Sequence, residues 1–243
     1  YKAANSVGGN MNKNISEIIN AAIEKELPDL VFKNAKIIDV FSLEVIDGDI
    51  AVLGDMIIGI GKYHNAKKVI DLKGQFVSPG LIEAHVHIES SLIIPENFST
   101  VLLKHGITTA VIDPHEIANV MGIDGIRYMI DSTENTELDI FVMLPSCVPS
   151  TPYESSGAVL RAADLKNFYS HPRVLGLGEL MNYPGLLDSD ADLLQKILDA
   201  KSFNLSVDGH APSISAQGLN AYISAGITTD HECETYEEMK LRL

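Results

Sequence analysis

Two histidines one residue apart, His85 and His87, lie in the run Ile82-Glu83-Ala84-His85-Val86-His87-Ile88. Read as a strand, this run puts Ile82, Ala84, Val86 and Ile88 on one face and Glu83, His85 and His87 on the other, because side chains alternate with period two. Two imidazoles leaving a strand in the same direction can close on one cation. An isolated His-x-His also occurs where the rings only make hydrogen bonds, so the chemistry needs more donors. They follow: Glu179, His210 and His231 each end a short strand-like run. Four imidazoles and one carboxylate, with no thiol among them, suit Zn, Mn or Fe rather than soft-metal or iron–sulfur chemistry.

The elements that must position these residues alternate. After Pro79-Gly80, strands are expected at 81–87, 108–113, 138–144, 174–179, 205–207 and 228–231. Helical segments fall between them at 97–104, 122–132, 162–169, 191–201 and 213–225, with another beginning near 235–240. Strands alternating with helices predict βα units on a parallel sheet, and their spacing suits a (β/α)8 TIM-type barrel. In that fold chemistry gathers at the C-terminal strand ends, which is where His85, His87, Glu179, His210 and His231 fall. Only six strands fit, so the barrel is expected to be incomplete, with its open edges driving association into a homo-oligomer. Asp208 shares strand parity with His210 and is a candidate to orient a ligand. Asp230 and Glu232 are weaker candidates of the same kind, and His64, His105 and His171 are expected in solvent.

Ahead of the barrel, Tyr1 to Asn10 shows no periodicity and reads as a tag remnant or disordered start, with Met11 a possible native beginning. Residues 11–78 read as one helix, from an Asn14 cap with Glu17 to about Leu27, followed by a small antiparallel β domain. Asp47-Gly48 and Gly54-Asp55 mark turns within it. The barrel domain is set at 79–243.

The segment Pro79-Gly80-Leu81-Ile82-Glu83-Ala84-His85-Val86-His87 resembles the first barrel strand of the amidohydrolase superfamily, and Ile88-Glu89-Ser90-Ser91 is similar to its bacterial adenine deaminase branch. The likeness continues through Asp113-Pro114-His115-Glu116-Ile117-Ala118-Asn119-Val120, Leu144-Pro145-Ser146-Cys147-Val148-Pro149-Ser150, Gly178-Glu179-Leu180-Met181-Asn182, Asp208-Gly209-His210-Ala211-Pro212 and Thr229-Asp230-His231-Glu232. It covers nearly everything from about Leu30 onward.

The resemblance implies one or two divalent ions held by the strand-end set, Mn or Fe ahead of Zn. It also implies Glu179 standing where many superfamily members carry a carboxylated lysine. It points to hydrolytic deamination of free adenine to hypoxanthine, with Glu89, His115 and Glu116 as catalytic candidates and Ser90, Ser91 and Asp113 as substrate-binding candidates. The same serines and aspartate are common turn and cap residues. The superfamily's proton-accepting aspartate belongs to strand eight, outside the strands found here. Two other readings stay open: another amidohydrolase acting on a cyclic amide or N-acetyl group, and a non-catalytic barrel fragment.

Composition bounds the partners. The 243 residues are 46% hydrophobic and 21% charged, ordinary for a globular chain. A formal net charge of −15 would repel a polyanion, so nucleic acid is not expected as a partner. No apolar run long enough for a membrane span and no secretion leader is found, so no membrane partner is expected. Two cysteines, Cys147 and Cys233, cannot make a disulfide framework, which together with the missing leader points to the cytoplasm.

Overall fold

The structure, a computed structural model, describes residues 15–243. The expectations for Tyr1 to Asn10, for Met11 and for Asn14 lie outside the described residues. The chain divides between Pro79 and Gly80 into two compact units.

The first unit holds α1 (Ile15–Ala22) and five strands, β1 (Leu30–Asp39), β2 (Glu44–Leu53), β3 (Met56–Gly61), β4 (Lys68–Asp71) and β5 (Phe76–Val77). The helix ends five residues short of Leu27. Glu24 takes a left-handed φ of 56°, and the Asn20 carbonyl accepts both the Lys25 and Glu26 amides. β1 with β2 and β2 with β3 pair antiparallel, as their turn residues predict. β4 and β5, however, both run parallel to β1, so the sheet is mixed and the antiparallel expectation is corrected. The hairpins fill only one edge of β1. The chain then returns past residues 62–67 to lay β4, and later β5, along the other edge in β1's own direction. Val31, Ala51 and Tyr63 form one small core, and Ala35, Ile37 and Ile50 another.

The second unit begins with β6 (Leu81–Val86), followed by α2 (Pro95–Lys104), β7 (Ile107–Ile112), α3 (His115–Met121), α4 (Ile123–Thr133) and β8 (Asp139–Leu144). It continues with α5 (Ala162–Leu165), β9 (Val174–Leu180), α6 (Tyr183–Leu187), α7 (Ala191–Ser202), β10 (Ser206–Gly209), α8 (Ala216–Ala225), β11 (Thr229–Asp230) and α9 (Tyr236–Arg242). The six strands pair in parallel and in sequence order, β6 through β11, as successive βα units require. The helices bury apolar faces against this sheet, with Ile126, Met129 and Ile130 of α4 and Leu193 and Ile197 of α7 joining Ile140, Val142, Leu144 and Leu177 in a single core. On β6, at the sheet's edge, Leu81 and Ile82 are exposed.

Side-chain caps set several helix starts. Asp190 Oδ1 accepts from the Leu193 amide at 2.8 Å and Ser215 Oγ from the Gly218 amide at 3.0 Å, each satisfying an otherwise free N–H. Two short helices escape a periodicity reading. α3 and α6 each span fewer than two full turns, and each follows or contains a proline that ordinarily signals a break.

Candidate metal centre

Every strand-end donor expected from the sequence arrives in one place. His85 lies on β6, Glu179 on β9 and Asp208 on β10. His87, His210 and His231 lie just past the ends of β6, β10 and β11. Parallel pairing in sequence order brings these C-terminal ends to the same rim, which is why residues so far apart in the chain meet.

Glu179 is the hub. It is only 3% exposed, and its two oxygens face different partners. Oε1 lies 2.8 Å from His85 Nε2 and 2.7 Å from His87 Nε2, while Oε2 lies 2.8 Å from His210 Nδ1 and 3.7 Å from His231 Nε2. The donors fall into overlapping triads, His85-His87-Glu179 and Glu179-His210-His231, with ligand atoms within 4.8 Å of one another in each. Two further triads share these residues, His85-Asp208-His231 and Asp113-His115-Glu179.

The hydrogen-bond pattern tests whether a cation fits. His87 Nδ1 donates to the Asp113 carbonyl at 2.8 Å, which in the neutral ring leaves Nε2 as a lone pair. That lone pair faces Glu179 Oε1 and lies 3.1 Å from His85 Nε2. Glu179 Oε1, His210 Nδ1, His115 Nδ1 and both Asp113 carboxylate oxygens are buried and lack a hydrogen-bond partner. Buried polar atoms converging without hydrogen bonds are costly, and a cation between them satisfies several at once. The residues present therefore fit a divalent ion. In the metal-free chain protons answer the same field. Burial opposes charge on His87, but Glu179 and the Asp113 carbonyl push it up to about 9. Asp208 and Glu179 push His231 up to about 10 against its burial. Burial likewise works against the Glu179 carboxylate, and contacts from His210, His231, His85 and His87 outweigh it, holding the group far below the usual carboxylate range.

Atoms behind the candidate ligands fix their aim. Asp208 Oδ2 sits 3.2 Å from His231 Nδ1, while Thr229 Oγ1 donates to Asp208 Oδ1 at 2.6 Å. Asp208 shares strand parity with His210, yet the ring it approaches most closely is that of His231. Glu232 Oε2 lies 3.9 Å from His210 Nδ1, and Asp230 instead takes Arg242 Nε at 2.8 Å. Gly178 is required by Asp113: a Cβ at Gly178 would overlap the Asp113 carboxylate. Ser146 Oγ donates to the Glu179 carbonyl, and the Ser146 carbonyl in turn accepts from the buried ammonium of Lys196 at 2.9 Å. Neither contact has a signal in the sequence, since a mid-helix lysine ordinarily faces water.

The second group sits beside the first. Asp113, 1% exposed, has Oδ1 3.6 Å from His115 Nδ1, which is also 3.9 Å from Glu179 Oε1. Ser90 Oγ donates to Glu116 Oε1 at 2.6 Å, and Glu89 Oε1 accepts the Ile117 amide in the first turn of α3 at 3.1 Å. Ser91 Oγ donates to the Ile88 carbonyl. Burial raises the Glu89 carboxyl above its ordinary value, against amide hydrogen bonds that lower it. Among the histidines expected in solvent, His64 and His105 are exposed, whereas His171 is half-buried with Nε2 3.5 Å from Glu134. Cys147 is buried and Cys233 exposed, both as free thiols.

Residues 76–241 match the Amidohydrolase family. Over 229 residues and 94% of the chain the sequence is 53% identical to the adenine deaminase of Clostridium acetobutylicum, and over 228 residues it is 47% identical to that of Geobacillus kaustophilus. The chain spans about 40% of the length of these curated relatives. Among solved structures it is similar to an N-acyl-D-glutamate deacylase from Bordetella bronchiseptica, at a TM-score of 0.60 and 17% identity over 87% of this chain and 53% of that one. An atrazine chlorohydrolase from Arthrobacter aurescens gives 0.56 and 15% over 80% and 56%. At such identities these two speak to the fold alone.

Proposed function

Because this chain belongs to the amidohydrolase family, we propose that the protein carrying it deaminates free adenine hydrolytically, adding water at C6 and releasing hypoxanthine and ammonia. The observation that carries the reading is the Glu179 carboxylate set between two histidine pairs, one on each oxygen. The naming of relatives about half identical over nearly the whole chain supports adenine as the substrate.

His85, His87, Glu179, His210 and His231 would hold one or two divalent ions, with Glu179 shared. The nitrogen and oxygen donors suit Zn, Mn or Fe, and the likeness to adenine deaminases is what puts Mn or Fe ahead of Zn in this reading. When bound, such an ion supplies Lewis acidity and a water acidic enough to be deprotonated near neutral pH. The remaining work falls to side chains. The leaving amine needs a proton, and His115, half-buried with its Nδ1 lacking a hydrogen-bond partner beside Asp113, is the donor we favour. Glu89, raised by burial, can hold a proton toward a ring nitrogen, and Glu116, fixed by Ser90, completes the proton-handling group. Ser90, Ser91 and Asp113 are our candidates for hydrogen bonds around the purine, with Asp113 acting through His115. We also propose a homo-oligomer and a cytoplasmic location, the latter supported by two unpaired cysteines. No helix among the described residues is long and apolar enough to cross a membrane.

The test is to purify the longer protein that contains this chain, load it with Mn, and follow hypoxanthine and ammonia from adenine and from adenosine. Turnover of adenine well above that of adenosine is expected. A metal-replete protein that leaves adenine intact but opens a dihydropyrimidine ring would replace this reading with its cyclic-amide alternative.

A further inference from the structure

A buried phenol lies behind the candidate metal centre, and its hydroxyl bonds to main-chain atoms there. Tyr222, on α8, is 1% exposed. Its hydroxyl donates to the Leu180 carbonyl at 2.9 Å and accepts the His210 amide at 3.0 Å. Those two groups belong to the residue after Glu179 and to a candidate ligand itself. One oxygen atom therefore joins the end of β9 to the end of β10.

The join falls beside a register shift in the sheet. β9 and β10 pair Val207 with Leu177 and then Gly209 with Leu180, so their register shifts between Val207 and Gly209, beside Asp208. A shifted register leaves the strands less firmly fixed to one another at the very rim that carries the ligands. Glu179 Oε2 and His210 Nδ1 must nonetheless stay 2.8 Å apart. The sequence makes room for the phenol to reach this point. A Cβ at Gly209 would stand 2.5 Å from the Thr229 carbonyl oxygen and 2.9 Å from Tyr222 Cε1, so glycine here admits both the neighbouring strand and the ring.

We propose that Tyr222 is a positioning residue for the metal centre, its hydroxyl bridging the Leu180 carbonyl and the His210 amide so that Glu179 and His210 share one cation. This rests on the reading of the strand-end set as metal ligands and adds to it a specific division of labour. The hydroxyl serves the Glu179-His210-His231 side, while the His85-His87 side has its own support in the Asp113 carbonyl.

The experiment uses the longer protein that contains this chain, with cobalt(II) as the probe, because its visible absorption reports ligand geometry independently of turnover. The parent is titrated with cobalt and compared with Tyr222→Phe, which keeps the ring and removes only the bridging oxygen. Weakening of cobalt binding by ~10- to 100-fold is expected, as for loss of other groups that orient metal ligands, with a changed spectrum in the folded, loaded variant. His85-side binding should persist. Parental affinity and an unchanged spectrum in Tyr222→Phe would overturn the proposal, whatever happened to the melting temperature, since a merely structural role lowers stability without altering the loaded site. A parent that bound no cobalt would instead remove the metal reading and this proposal with it. Should Tyr222→Phe be recovered only unfolded, 3-fluorotyrosine at position 222 keeps ring and hydroxyl while weakening the oxygen as an acceptor. A shifted cobalt spectrum then supports the bridge, and a parental one overturns it.

Discussion

Replacing Lys196 with methionine separates the scaffold from the candidate ligands it carries. Lys196 is 4% exposed, and its ammonium donates to the Ser146 carbonyl at 2.9 Å and the Leu160 carbonyl at 2.7 Å, with Asp192 at 3.3 Å. Lys196→Met fills much the same volume and leaves both carbonyls without a donor. A buried acceptor stripped of its partner costs ~1–3 kcal/mol, so the pair predicts a loss of ~2–6 kcal/mol. Asp192 adds little, because its side chain is 29% exposed and also accepts the Ala162 amide at 3.0 Å. Urea unfolding of the metal-free protein, followed by circular dichroism, should show a lower midpoint at unchanged slope. Metal affinity should fall as well, since Ser146 holds the Glu179 carbonyl. A loss below ~1 kcal/mol, with parental metal affinity, would refute the idea that this ammonium pins the segment after β8 behind Glu179.

His85→Ala or His87→Ala should lower bound divalent metal and activity together, and elemental analysis finding full occupancy in the double variant would contradict the ligand assignment. Gly178→Ala should displace the Asp113 carboxylate, costing ~1–3 kcal/mol by overpacking and disturbing the support of His87 and His115, so parental stability with parental metal content would argue against that packing. In the first unit, Glu24 is held down to about 2 from 4.5 by the His64 side chain and the His64 and Asn65 amides. Its folded value is depressed, so these contacts are complete above the ordinary carboxylate range and are lost as pH falls through about 2. The His64 and Asn65 amide resonances should titrate near that value, and a midpoint at 4.5 would remove the interaction.

The second unit was legible because its signals are local. Six strand positions agree with the structure to within about two residues, since each is a short apolar run between punctuating glycines, prolines or polar residues. His85 and His87 could be paired from strand parity alone, and Glu179, His210 and His231 from their place at strand ends. The directions of β4 and β5 were not legible. A strand's sequence states its length and faces, whereas its neighbour is chosen by whichever edge remains open, here the far side of β1. The backbone carbonyl of Asp113, the hydroxyl of Tyr222 and the ammonium of Lys196 escaped for a related reason. Each contact joins a side chain to a main-chain atom across a stretch of chain, and main-chain atoms carry no residue code.

Strict sequence order in the β6 to β11 sheet also sets a timetable. A chain leaving the ribosome can add each strand to the one before it, so the sheet can lengthen during synthesis without waiting for distant partners. The donors do not share that advantage. His85 and His87 are made first, and their carboxylate partner on β9 follows only after two more strands have been laid down. His231 arrives last, beyond β11. A cation captured early by the first histidine pair would be held by an unfinished cage, free to leave or to exchange. On the proposed ligand set, selection of the metal would therefore be a late event in the life of the nascent chain, decided once β10 and β11 had brought His210 and His231 against Glu179.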